Sequence, residues 1–328
     1  MTALVELAGV SRHYTADRSL LARLAGRKPA VVQAVDDVDL TISRGETLGL
    51  IGESGCGKST LGRLALRLRE PTTGTVRFDG TDLATLTPTA LAALRPRMQI
   101  IFQDPYASLN PRRNVEEIVG LPLRLHTPTP RTERRTRVVA ALERVGLGAQ
   151  HLSRYPHQFS GGQRQRIGIA RAIVLRPDFI VCDEPVSALD VSIQAQILEL
   201  LGALRREFGL SYLFISHDIA VVAHLSDRIA VMYLGRIVEI APARRLITAP
   251  RHPYTKALLS AVPQVDAAGQ RARIKLAGEP PSPLAPPPGC RFHPRCPHAE
   301  PRCRTTTPVL ADVAPRHAVA CHVFGAVS

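Results

Sequence analysis

No run of apolar residues in this 328-residue chain approaches the ~18 that a membrane-spanning helix needs. If the protein works at a membrane, other chains must do the spanning. The opening Met1-Thr2-Ala3-Leu4-Val5-Glu6 lacks the basic segment and apolar core of a secretory leader, so none is expected. No internal repeat is evident. No nucleic-acid recognition motif accompanies the net charge of +14, from 42 basic and 28 acidic residues, and no nucleic-acid partner is expected. The arginines are scattered among helical stretches. Their densest cluster, Arg131 to Arg137, contains Glu133 and precedes the spacing Val138, Leu142, Val145, which reads as the start of a helix with a solvated face.

What the chain does carry is a phosphate-binding pattern, Gly52-Glu53-Ser54-Gly55-Cys56-Gly57-Lys58-Ser59-Thr60. It fits G-x-x-x-x-G-K-[ST], in which backbone N–H groups close around phosphate oxygens, a lysine reaches the outer phosphates and a hydroxyl ligates Mg²⁺. Glu46 to Ile51 predicts a strand entering the loop, and Leu61 to Leu68 a helix leaving it, the order that this anion site requires.

Further downstream, Phe179-Ile180-Val181-Cys182-Asp183-Glu184 is an apolar run ending in two acids. A buried parallel strand delivers such carboxylates to a site at its C-terminal end. Asp183 is placed to hold Mg²⁺, directly or through water, and Glu184 to polarise an attacking water. A second apolar run, Ser211 to Ser216, ends at His217, which can reach a terminal phosphate or simply cap a turn. Ile100 to Phe102 leads into Gln103, a neutral side chain able to touch Mg²⁺ or water. Phe159-Ser160-Gly161-Gly162-Gln163 sets a serine and two glycines ahead of an apolar-periodic segment, a second anion site at a helix N-terminus.

Together these residues resemble the ATP-binding subunit of ABC transporters, over roughly Leu4 to Ala241. The resemblance implies an α/β fold: a P-loop NTPase of ABC type, with a helical subdomain near 110–176 inside a domain of residues 1–242, and a Pro/Cys-rich extension over 243–328. It also implies an ATPase in which Tyr14 stacks on adenine, Lys58, Ser59 and Thr60 bind phosphates and metal, and Gln103 links the site to the membrane partner. Asp183 would support Mg²⁺, Glu184 serve as catalytic base and His217 contact the γ-phosphate. Phe159 stands where leucine is commoner in the family signature, with its glycines intact. In the family that signature closes over nucleotide held by an opposite subunit, so a complete site needs two such domains. Ser187-Ala188-Leu189-Asp190 resembles the loop crossing that dimer interface; its plainer reading is a helix N-cap at Asp190.

After Pro242 the character changes. His252-Pro253-Tyr254-Thr255 begins one more helix, and Pro280-Pro281 and Pro286-Pro287-Pro288 make a stiff connector. Four of the six cysteines, Cys290, Cys296, Cys303 and Cys321, follow it. Their gaps of five, six and seventeen residues match no C-x-x-C zinc pattern. A tail stapled by metal or cluster, zinc, or reduced thiols packed as small apolar groups all remain open readings. The segment Gly289-Cys290-Arg291-Phe292-His293-Pro294-Arg295-Cys296-Pro297 resembles the C-terminal extension of oligopeptide and dipeptide permease ATPases. Members of that family can hold a [4Fe–4S] cluster on four tail cysteines, which makes these four the candidates here. Gln103-Asp104-Pro105-Tyr106-Ala107-Ser108-Leu109-Asn110-Pro111-Arg112, with the insertion from Ala16 to Val32, looks like the F-type member of paired ATPases. The implied assembly is a heterodimer with a D-type ATPase beneath two permease subunits, on the cytoplasmic face of the cell membrane, fed by an extracytoplasmic solute-binding protein. The implied cargo is a peptide, with nickel or another small solute as the alternative. A non-transport ATPase acting on nucleic acid, or a redox-sensing module centred on the cysteines, would be the rival classes.

Overall fold

The computed structural model describes residues 3–15, 31–261 and 274–325. The insertion read from Ala16 to Val32 therefore lies, except for its last two positions, outside the described residues. In chain order the strands are β1 (Ala3–Thr15), β2 (Val31–Ser43), β3 (Thr47–Ile51), β4 (Thr73–Phe78), β5 (Thr81–Asp82), β6 (Met98–Ile101), β7 (Phe179–Asp183), β8 (Ser211–Ile215), β9 (Arg228–Tyr233), β10 (Arg236–Pro242), β11 (Ala311–Ala314) and β12 (His317–Val319). An antiparallel sheet runs β2-β1-β4-β5, and a larger one β11-β12-β10-β9-β3-β8-β7-β6. Within the larger sheet β9, β3, β8, β7 and β6 are parallel, and β10, β12 and β11 extend it antiparallel.

The unbroken apolar run of β7 follows from burial on both faces. Phe179 and Val181 point into a core shared with the antiparallel sheet and the helix Lys58–Ala65; Ile180 and Cys182 point into the core beneath the helical subdomain. Alternation with period two is simply divided between two apolar layers. The helical subdomain comprises Val115–His126, Arg131–Arg144 and Gly161–Ile173. The first starts with a capping box in which Asn114 and Glu117 satisfy each other's backbone N–H. The second buries Val138 and Leu142, as the spacing predicts, and exposes Arg131, Arg135 and Arg144 while Arg134 and Arg137 are half-buried.

The tail seats on the catalytic body through more apolar area than its cysteine content suggests. Phe292, inside the cysteine segment, is buried against Tyr233, Tyr254 and His252, with ring centroids 5.3, 5.5 and 5.6 Å away. Strand β12 pairs with β10 at Glu239↔Val319 and Ile240↔Ala318. Glu239 and His317 are both fully buried and meet at 2.7 Å. The same carboxylate accepts backbone N–H groups of Arg251 at 2.8 Å and His252 at 2.9 Å, so its oxygens are hydrogen-bonded, whereas His317 Nδ1 has no partner among the described residues. Burial pushes His252 down to about 3. It is therefore neutral, and its Nδ1 accepts the Tyr254 N–H to cap the helix Pro253–Ser260.

Replacing Glu239 by Leu strands His317 Nε2, the buried His252 N–H and the part-buried Arg251 N–H. The expected cost is about 1–3 kcal/mol for each buried group left without a partner, read as a lower melting temperature together with faster proteolysis after residue 243. A variant whose tail stayed as resistant as the parent's would show that this hub does not hold it.

Candidate nucleotide-hydrolysis site

Because β3, β7 and β8 are parallel and nearly level, with Leu50 opposite Ile215 and Ile215 opposite Asp183, the loops leaving their C-terminal ends meet. They form an open cleft of about 860 Å³ lined by Ser54, Gly55, Gly57, Lys58, Ser59 and Thr60 of the glycine loop, with Gln103, Asp104, Glu184, Ser187, Ala188 and His217. Val32, Ala34 and Pro283 complete the lining.

Lys58 is buried, and its Nζ donates to the carbonyls of Gly52 at 2.7 Å and Glu53 at 3.0 Å. The ammonium is thus held at the loop's centre, where the outer phosphates of a nucleotide would lie. Ser59 Oγ donates to Asp183 Oδ1 at 2.7 Å. Burial pushes the Asp183 carboxyl above its ordinary value, opposed by the Ser59 hydrogen bond and the Arg63 and Lys58 charges. A hydroxyl and a largely dehydrated carboxylate side by side are hard oxygen donors suited to Mg²⁺.

Glu184 sits in the left-handed region, φ 48°, a conformation that costs about 1–3 kcal/mol for a non-glycine residue and is concentrated at functional sites. Its backbone N–H is fixed to the Ile215 carbonyl at 3.0 Å. Gln103 Nε2 donates to Glu184 Oε2 at 2.9 Å, and His217 Nδ1 lies 3.3 Å from the same oxygen. Two side chains from different strand ends therefore hold one carboxylate oxygen, which leaves Oε1 to address a water.

The signature stands apart. Ser160 caps the helix Gly161–Ile173 in a capping box with Gln163, and none of Ser160, Gly161, Gly162 or Gln163 lines the cleft. The start of that helix packs on the first turn of the helix Val191–Phe208, where a Cβ on Gly162 would come within 2.6 Å of Ile193. Asp190 occupies the N-cap position of the helix Val191–Phe208 but makes no capping hydrogen bond and is exposed, unlike an ordinary N-cap. Tyr14 carries the Arg12 guanidinium 4.7 Å from its ring centre. It does not itself line the cleft, although its ladder partner Val32 does. Cys56 is buried, and burial raises its thiol above the ordinary value, so it packs the loop and is inert.

The four tail thiols converge without forming a ligand set. Burial above all, with the neighbouring Cys303, Cys321 and Cys296 adding to it, pushes the Cys290 thiol up to about 11. Among the described residues no group of three or more His, Cys, Asp or Glu side chains is arranged to hold a metal ion. The Cys290 N–H donates to the Cys303 carbonyl at 2.8 Å, and Cys303 is buried in the short helix Pro301–Thr305.

Glycine at position 57 is dictated by space as well as by dihedral angle. At φ +110° a Cβ would lie 2.0 Å from the Ala34 carbonyl oxygen, whereas Gly55, at φ +78°, faces open space. Gly55→Ala carries only left-handed strain of about 1–3 kcal/mol, while Gly57→Ala adds a backbone collision. Calorimetric titration with an ATP analogue should find Gly57→Ala weaker than Gly55→Ala by more than ~10-fold, that is by at least ~1.4 kcal/mol; equal affinities would contradict the close approach.

Comparison with known proteins agrees with this geometry. Residues 35–187 match the family described as ABC transporter, and residues 238–303 that described as Oligopeptide/dipeptide transporter, C-terminal region. The chain is 50% identical over 324 residues to the oligopeptide transport ATP-binding protein AppF of Bacillus subtilis strain 168, covering 98% of this chain and 97% of that one. It is 54% identical over 303 residues to the putative oligopeptide transport ATP-binding protein YkfD of the same organism, covering 92% of each. Among solved structures, the dimeric bacterial ABC transporter cassette MJ0796 superposes with a TM-score of 0.63 at 31% identity, over 73% of this chain and 99% of that one. Its post-hydrolysis dimer bound to ADP and Pi gives a TM-score of 0.64 at 30% identity, with the same coverage. The chain belongs to the ATP-binding proteins of the ABC transporter family, in the group that carries the oligopeptide/dipeptide transporter C-terminal region.

Proposed function

We propose that this chain is the ATP-hydrolysing subunit that energises a peptide importer. The observation that carries this reading is the pairing, on one polypeptide, of a cleft equipped for ATP hydrolysis with a C-terminal region of the oligopeptide/dipeptide transporter type. Among the described residues no helix is long and apolar enough to cross a membrane, so permease subunits supply the passage. At finer grain, the assembly contains two permeases, a second ATPase of D type and an extracytoplasmic solute-binding protein, with this chain peripheral on the cytoplasmic face. Residues 1–242 form the ATP-binding domain and 243–328 the extension.

In the cleft, the backbone of Gly52 to Gly57, with Lys58 and Thr60, binds the ATP phosphates. Tyr14, the ladder partner of the cleft-lining Val32, stacks on adenine. Ser59 and Asp183, with Gln103 near them, would hold Mg²⁺, whose charge offsets that developing on the transferred phosphoryl group. Glu184 accepts the proton of the attacking water as its oxygen bonds to the γ-phosphorus and the bond to the β–γ bridging oxygen breaks, giving ADP and phosphate. His217 touches the γ-phosphate while holding the base. Ser160, Gly161, Gly162 and Gln163 lie off their own chain's cleft, which supports their closing on nucleotide bound by the partner ATPase, with Asp190 at the same interface. The convergence of four tail thiols supports a [4Fe–4S] reading, and the missing ligand geometry opposes it; a brown, iron-containing anaerobic preparation would carry it, whereas colourless, iron-free protein removes it.

Glu184→Gln is expected to keep ATP binding and to lower turnover by about 10²- to 10⁴-fold, the scale for losing a general base, in phosphate-release assays of the assembly. Undiminished hydrolysis would take Glu184 out of that role. For the function itself, the chain carrying an N-terminal tag is extracted from native membranes in mild detergent. Recovery of multi-span permeases and a second ABC ATPase, in a complex that hydrolyses ATP, is the expected result. Recovery with ribosomes or DNA and no membrane protein would overturn the transport reading.

A further inference from the structure

The phosphate loop contains a carboxylate in a place where it should do harm. Glu53 is the second residue of the glycine loop, and an unpaired negative charge there would repel the phosphates that the loop binds. It is not unpaired. Arg295, far along the chain between Cys290 and Cys296, places Nη1 at 3.1 Å from Glu53 Oε1 and 2.9 Å from Oε2. The arginine side chain is only 8% exposed, so solvent screens the pair weakly. The Glu53 backbone N–H donates to the Tyr254 hydroxyl at 2.8 Å, and Tyr254 is itself buried against Tyr233 and Phe292. The Glu53 carbonyl accepts Nζ of Lys58 at 3.0 Å. One residue is thus held by its carboxylate and its N–H from the tail region, while its carbonyl fixes the lysine that reaches phosphate.

We propose that Arg295 is a positioning residue of the ATP site: through Glu53 it cancels a misplaced charge and holds the loop in the shape that presents Lys58 to the phosphates. This deepens the ATP-site reading above and rests on it. The charge argument separates this role from simple bracing of the fold. If Arg295 merely held the tail in place, removing the Glu53 charge would not repair its loss. If Arg295 neutralises Glu53 beside the phosphates, that removal should.

The test is calorimetric titration of the full-length chain with Mg²⁺ and a non-hydrolysable ATP analogue, at matched melting temperature. Arg295→Ala is expected to weaken binding on the order of 10- to 100-fold, the range for losing a partner that orients a binding group. Arg295→Lys should recover only part, since an ammonium offers a point charge in place of the planar fork. Adding Glu53→Gln to Arg295→Ala should strengthen binding again, at least severalfold. Should Arg295→Ala not fold, Arg295→Gln, which keeps bulk in the buried position, carries the same expectations. Affinity of the single variant within twofold of the parent, or a double variant no tighter than Arg295→Ala, overturns the proposal. A parent chain that binds no nucleotide overturns the ATP-site reading itself, and this inference with it.

Discussion

The chemistry of this molecule depends on the parallel alignment of β3, β7 and β8. Parallel strands point the same way, so whatever follows their C-terminal ends is delivered to one edge of the sheet. Here the register puts Leu50, Ile215 and Asp183 nearly level, and Lys58, Glu184 and His217 converge although they are far apart in sequence. Slipping β7 by one residue would turn Asp183 to the opposite face and exchange the two core layers that Phe179 and Ile180 now serve. Burial of both faces is what forbids the slip, so the apolar packing of the strands holds the polar geometry of the cleft.

Much of that arrangement is legible in the residues. The glycine loop declares itself because phosphate binding needs consecutive backbone groups. β7 and β8 declare themselves because a doubly buried strand needs an uninterrupted apolar run. Gln103 and His217 could be marked as strand-end residues. Their shared target, a single oxygen of Glu184, could not, since side-chain convergence leaves no local pattern. Val32, Ala34 and Pro283 were missed for a related reason: they contribute wall and no chemistry, and proximity to the cleft is decided by the tertiary path. Ser187 and Ala188 were visible only within an interface-loop resemblance. Arg295 was one of 42 basic residues, and nothing nearby in sequence distinguishes it.

The tail makes contacts that its composition does not announce. Four cysteines in a proline-rich stretch suggest a unit too small to fold on apolar area alone. The structure uses the aromatic residue inside that segment, Phe292, and a buried Glu239–His317 pair to fasten the tail to β9, β10 and the helix Pro253–Ser260. Arg291 continues the attachment by donating to Asp36 and to the Leu234 carbonyl, and the Gln33 N–H reaches the Pro283 carbonyl at 3.1 Å. These contacts make the extension part of the nucleotide cleft's surroundings.

The 242-residue separation of Glu53 and Arg295 also has a consequence for biosynthesis. At ~5–20 residues per second, the ribosome needs roughly 12–48 seconds to travel between them. Throughout that interval the nascent glycine loop carries its uncompensated carboxylate while the residue that neutralises it has not yet been made. The loop's charge therefore stays uncompensated until Arg295 has been made and seated against Glu53, and a chain interrupted before the tail would emerge with every motif of the loop present and its electrostatics unfinished.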